Sequence, residues 1–176
     1  GADFATGIGG AGLWWEAALL IPDRDLIMTN DLSALYPLSP NPVLIDSVLI
    51  DKPYFKFIVG GDYNFSDGSY FNIQYLHGFM HERGSSQLND YFFVRYEKRF
   101  FNEKLLVAPL GGAFIISDWK KIKDNSTIVY VPQISYKPTD DIEISFSSAV
   151  FNGKGDNMFS KFNNYDMFMF AIKYNF

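Results

Sequence analysis

His77 and His81 stand four residues apart. On a helix that spacing brings two imidazoles to one metal ion. The flanking residues instead alternate apolar and polar, which predicts a strand, where same-face residues four apart are separated by about 13 Å. That is too far for one ion, so no metal is expected, and His77 reads as an interfacial residue near a strand end. A serine hydrolase would need a serine beside a histidine. Ser85 and Ser86 fall in a loop, Ser145 and Ser147 fall on the polar side of a strand, and none lies in a nucleophile-elbow motif. Asp140-Asp141 and Lys154-Gly155-Asp156-Asn157 lack the carboxylate spacing of a calcium loop and read as turns. Cysteine is absent, which removes disulfides, thiolate metal sites and cysteine nucleophiles. The expectation is a protein that is not an enzyme and carries no cofactor.

The remaining chemistry is charge. Glu16, Lys56, Asp62, Arg95, Glu97, Arg99, Glu143 and Lys173 each fall on the polar side of an alternating segment. In a closed eight-stranded barrel these side chains would fill the interior as a paired network. In a wider barrel they would line a water-filled lumen. Four basic and four acidic groups predict weak ion selectivity in either case.

The elements that must carry them follow from composition and pattern. The chain has 176 residues, about one domain, with 15 Lys+Arg against 20 Asp+Glu and a net charge of -5. That charge argues against a nucleic-acid partner, which needs a basic footprint. Aromatics reach 18% while mean hydropathy is only -0.04. No run approaches the ~18 apolar residues of a membrane helix. An antiparallel transmembrane β-barrel accommodates all of this, because its strands alternate apolar-out with polar-in.

Eight strands are predicted: 11–21, 54–65, 69–79, 90–100, 104–117, 127–137, 142–151 and 165–176. The Gly-rich segment 3–10 is expected to extend the first. Pro109 and Gly111-Gly112 predict a bulge in the fifth strand, and Pro132 weakens the sixth. One apolar set holds Phe57, Ile73, Tyr75, Val94, Tyr96, Phe146 and Phe170, expected to meet lipid. The opposite set holds Asn72, Gln74, Arg95, Glu97, Ser145 and Lys173.

Connections after the second, fourth and sixth strands are short, whereas 22–53, 80–89, 118–126 and 153–164 are long. That is the pattern of short periplasmic turns and long external loops. With eight strands, both termini fall on the short-turn side. Within 22–53, Asp31–Tyr36 could form one helical turn capped by Asp31. Val43-Leu44-Ile45 and Val48-Leu49-Ile50 are apolar enough to fold over a barrel mouth or pack on a neighbour.

The chain ends Lys173-Tyr174-Asn175-Phe176. Ile172, Tyr174 and Phe176 on one face resemble the C-terminal signal by which outer-membrane barrels reach their assembly machinery. The stretches Tyr54–Phe65, Asn72–Phe79 and Gly153–Asp156 further resemble a family of large proteobacterial outer-membrane proteins known only as a domain of unknown function. The resemblance spans roughly 1–20 and 54–176. It implies a membrane barrel with a porin-like or lipid-handling role. Members are much longer, which implies a C-terminal portion, and residue 1 carries no Met, n-region or h-region. A mature small barrel is the other reading.

The expectation is therefore a single barrel domain over 1–176 in the outer membrane of a Gram-negative bacterium, porin-like or channel-forming. Its partners would be outer-membrane lipid, the barrel assembly machinery and other membrane or periplasmic subunits. A non-conducting structural or partner-binding barrel is one alternative. A soluble lipocalin-like carrier is another, and it would turn the aromatic face inward and put Lys56, Arg95 and Glu97 outside.

Overall fold

The computed structural model describes residues 1–23, 26–33, 41–50 and 52–175. The chain is all-β. Alternation drives this, since a period of two gives each strand one apolar and one polar face. Among the described residues twelve strands form: β1 (Ala2–Ile8), β2 (Ala11–Leu20), β3 (Leu26–Asp31), β4 (Leu44–Ile50), β5 (Tyr54–Asn64), β6 (Ser69–His77), β7 (Asp90–Phe100), β8 (Leu105–Ile116), β9 (Ser126–Tyr130), β10 (Gln133–Tyr136), β11 (Ile142–Gly153) and β12 (Met167–Tyr174). Ten of them make one sheet in the order β1-β2-β5-β6-β7-β8-β10-β11-β12, with β9 also between β8 and β11. All pairings in it are antiparallel.

β9 and β10 are two halves of one row. Pro132 has no N–H for the ladder. At the break, the Val131 N–H donates to Gly111 O at 2.7 Å, and Pro132 O accepts from the Ser148 N–H. The expected bulge is also present. Tyr96 pairs with Leu110 but Lys98 with Val107, so Ala108 and Pro109 together oppose Glu97.

Two expectations need correction. Residues 3–10 do not extend the first strand. Gly9 and Gly10 take positive φ (58° and 87°) and fold β1 back onto β2, with Ala2 opposite Ala17. The sheet thus has nine rows rather than eight, and β1 starts at the end that carries the long loops. The 22–53 connection contains the β3–β4 hairpin, a separate two-stranded sheet. Asp31 ends β3, and its Oδ1 accepts from the Ser33 N–H at 2.9 Å. The rest of the expected helical turn, 34–36, lies outside the described residues.

The short connections are ordered by local chemistry. Phe101, Asn102 and Glu103 all adopt positive φ. In the β5–β6 turn, Asp67 accepts from the Ser69 N–H (3.0 Å), the Ser69 hydroxyl and Lys98 Nζ (2.7 Å). The Lys98 ammonium, then the Ser69 donors, hold the Asp67 carboxyl well below the usual carboxylate range. A depressed folded value contributes stability above the unfolded pKa of about 3.9. That contribution fades only as pH falls through the lower folded value. Carboxyl NMR titration is therefore expected to find Asp67 still ionised at pH near 3, and Lys98→Met to return it toward the ordinary range. An ordinary titration in the intact protein would refute the turn geometry.

The two faces of the sheet differ. On one, the loops fold in: Phe79 from the β6–β7 loop lies 6.5 Å from Phe159 of the β11–β12 loop, and both rings approach Tyr91. Tyr54, Tyr91, Ala108, Ala113, Ile115, Val129 and Phe151 are buried on this covered face. On the other, outer face, large apolar side chains stay exposed from edge to edge, among them Leu13, Phe55, Ile73, Ile128, Ile134, Phe146 and Phe170. The register puts Phe57, Ile73, Tyr75, Val94, Tyr96, Phe146 and Phe170 on this outer face. It puts Asn72, Gln74, Arg95, Glu97, Ser145 and Lys173 on the covered one.

Candidate functional site

All eight charged residues singled out by alternation fall on the covered face, since each pairs in register with a residue of that face. Four of them form the middle of a polar ladder. Asp62 accepts from the Gly12 N–H (3.0 Å) and the Tyr70 hydroxyl (3.2 Å). In the next rows, Gln74 donates to Asn72 at 3.0 Å. Arg95 binds Glu97 through Nε at 2.8 Å, and its Nη2 reaches across β8 to Gln133 Oε1 at 3.2 Å. That reach is open because the β8 residue opposite Arg95 is Gly111, which has no side chain. Arg99 lies 3.8 Å from Glu97 and 3.6 Å from Glu103. Glu97 is thus shared by two guanidiniums, and its side chain is only 14% exposed.

The other four stand apart. Glu143 is 4.0 Å from Lys137 and opposite Lys173 in the register. Glu16 is exposed on β2. Lys56 serves the loop end, where its Nζ donates to the backbone carbonyls of Phe79 and Glu82 at 2.5 Å each.

Three anchors at the loop end were not visible in the sequence pattern. Glu82 is buried and accepts from the Phe79 N–H (2.8 Å), the Asn89 N–H (3.0 Å), the Asn89 side-chain amide and the Tyr91 hydroxyl. Asn157 is buried, donates to Ser117 Oγ (3.2 Å) and Thr127 Oγ1 (3.1 Å), and accepts from the Ser160 N–H (2.9 Å). Asp90 gathers the Tyr75 hydroxyl (2.7 Å), His77 Nδ1 (2.7 Å) and the Trp119 indole N–H. Asp90 and Asn157 are held by partners up to 29 and 40 residues away and Glu82 by residues three to nine away across one loop, so only a buried polar group's need for partners could have hinted at them.

His77 sits at the end of β6 on the outer face, with its ring 5.5 Å from Phe57. Ser145 and Ser147 are on the opposite face of the sheet. His81 packs on Phe79 in the loop, with ring centroids 5.5 Å apart. Ile172 and Tyr174 are exposed on the outer face of β12, whereas Phe176 lies outside the described residues.

Besides a cleft of about 460 Å³ among Tyr70, Glu97, Arg99 and Glu103, two further cavities adjoin these groups. One of about 500 Å³ opens among the three loops, lined by polar residues including His81, Gln87, Asn125, Asp156 and Lys161. The other, about 300 Å³, lies on the covered face above the ladder, bounded by Arg95 and Asn72 at one side and by apolar residues elsewhere. No family model, curated protein or solved structure matches this chain.

Proposed function

We propose that this chain forms the wall of a bacterial outer-membrane β-barrel, porin-like or channel-forming, with the covered face toward its lumen. The observation that carries this reading is the contrast between the two faces. Exposed apolar side chains run from β2 to β12 on the outer face, while an ion-paired ladder occupies the other. A soluble domain rarely leaves so extensive an apolar surface in water, whereas bilayer hydrocarbon would solvate it. Short turns at one end and long loops at the other support the same reading. Lys56, Arg95 and Glu97 on the covered face speak against a soluble carrier with an aromatic interior. The resemblance to large proteobacterial outer-membrane proteins agrees with a membrane barrel.

Reconstitution into planar bilayers tests channel activity, with stepwise conductance of weak ion preference as the expected result. A barrel that inserts but never conducts would favour the structural or partner-binding alternative. The two faces make a separate test. Ile73→Arg would put a charge in mid-hydrocarbon at a cost of about 2–4 kcal/mol. Gln74→Lys, one residue on and facing the ladder, should cost far less. Urea unfolding in lipid vesicles reads both. Equal losses would remove the lipid-facing assignment.

A further inference from the structure

The cavity of about 300 Å³ on the covered face is made by the backbone. Gly111, opposite Arg95, leaves β8 without a side chain on the covered face, and Gly112 beside it also lines the cavity. The walls are Phe93, Ala113, Val129, Val131 and Phe159. Polar groups enter at one side only, as Asn72 and Arg95. Apolar walls with a few convergent polar groups are the usual make-up of a small-ligand site, and the volume lies at the lower end of such sites, about 300–1,000 Å³. It suits one alkyl chain rather than a two-chain lipid.

Charge selects the head group. Arg95 and Arg99 share Glu97 and Arg99 also faces Glu103, so the cluster balances, and Arg95 is the charged group of that cluster that lines the cavity. Arg95 uses Nε and Nη2 for Glu97 and Gln133. Among the described residues no hydrogen bond engages Nη1. A guanidinium in this position favours a carboxylate over a neutral hydroxyl.

We propose that this cavity binds a single-chain anionic amphiphile of the fatty-acid class. The chain lies against Phe93, Val129, Val131 and Phe159, and the acid group sits on Arg95. The site does not rest on the membrane reading, because its walls belong to the covered face whichever solvent bathes the outer one.

The test is photolabelling of the purified full chain, in non-ionic detergent micelles, with palmitate carrying a diazirine, followed by peptide mapping. The expected label falls on peptides containing Phe93, Val129, Val131 or Phe159, and palmitate competes about ten-fold better than hexadecanol. Arg95→Gln should abolish that preference while Arg95→Lys retains most of it. Val131→Trp, which fills the cavity, should remove the label there without changing label on the outer face. Label confined to outer-face residues such as Ile73 and Phe146 would overturn the site, although it would still fit a lipid-facing wall. Equal competition by acid and alcohol in the unaltered protein would overturn the role of Arg95.

Discussion

Gly112→Val is expected to yield no folded protein. Gly112 has φ +143°, and a Cβ there would stand 1.8 Å from the carbonyl oxygen of Val129, far inside any real contact. The obstacle is backbone of the next row, so no side chain can swing aside. Relief requires pulling the end of β9 off β8, close to the break at Pro132. Positive φ alone costs a β-branched residue a few kcal/mol, and the displaced pairing adds more, roughly 4 kcal/mol or above in sum. Gly9→Asn is the matched control. Gly9 also has positive φ, but a Cβ there meets nothing within 4 Å, and asparagine tolerates that conformation. Circular dichroism with limited proteolysis separates folded from unfolded chains in both. A normal strand spectrum and normal protease resistance for Gly112→Val would mean that β8 and β9 do not approach as closely as described.

Glu82→Ala should be the most damaging substitution outside the sheet. Three kinds of donor converge on this buried carboxylate: two backbone N–H groups, the Asn89 amide and the Tyr91 hydroxyl. Removing the acceptor leaves them buried without partners, at about 1–3 kcal/mol each before relaxation. Water entering the vacated space offsets part of this, so a net loss of roughly 3–5 kcal/mol is expected. Tyr91→Phe removes one donor and keeps the acceptor, so it should cost about 1 kcal/mol. Limited proteolysis should show cleavage within 78–89 for Glu82→Ala only. Unchanged cleavage and unchanged thermal stability would mean that Glu82 does not hold the loop.

The strands of the main sheet were legible because the contrast between their faces is strong. In β7, Phe92, Val94 and Tyr96 alternate with Arg95 and Glu97, and the expected limits 90–100 match the observed ones. β1 was missed because its residues are mostly small. Ala2, Ala5, Thr6 and Gly7 differ too little in polarity for a period of two to stand out, so the Gly9-Gly10 turn read as part of one strand. Within the candidate site, the face of each charged residue was readable, since alternation alone determines it. Which charges meet was not. Arg95 finds Gln133, 38 residues away, only because β8 has a glycine between them. The bonds from Asn157 to Ser117 and Thr127 likewise depend on two loops meeting over the covered face, which no local pattern encodes.

The fold-back at Gly9-Gly10 changes the polarity of the sheet's margins. Nine rows in up-and-down order give β1 and β12 the same direction. A ring made of these rows alone would therefore meet at a parallel seam, with slanted and evenly spaced hydrogen bonds. Bacterial single-chain barrels have even strand numbers and antiparallel seams throughout. For this sheet, an antiparallel seam requires an odd number of further rows between β12 and β1. Copies of the chain set side by side in one orientation cannot supply it, because every margin they bring runs the same way.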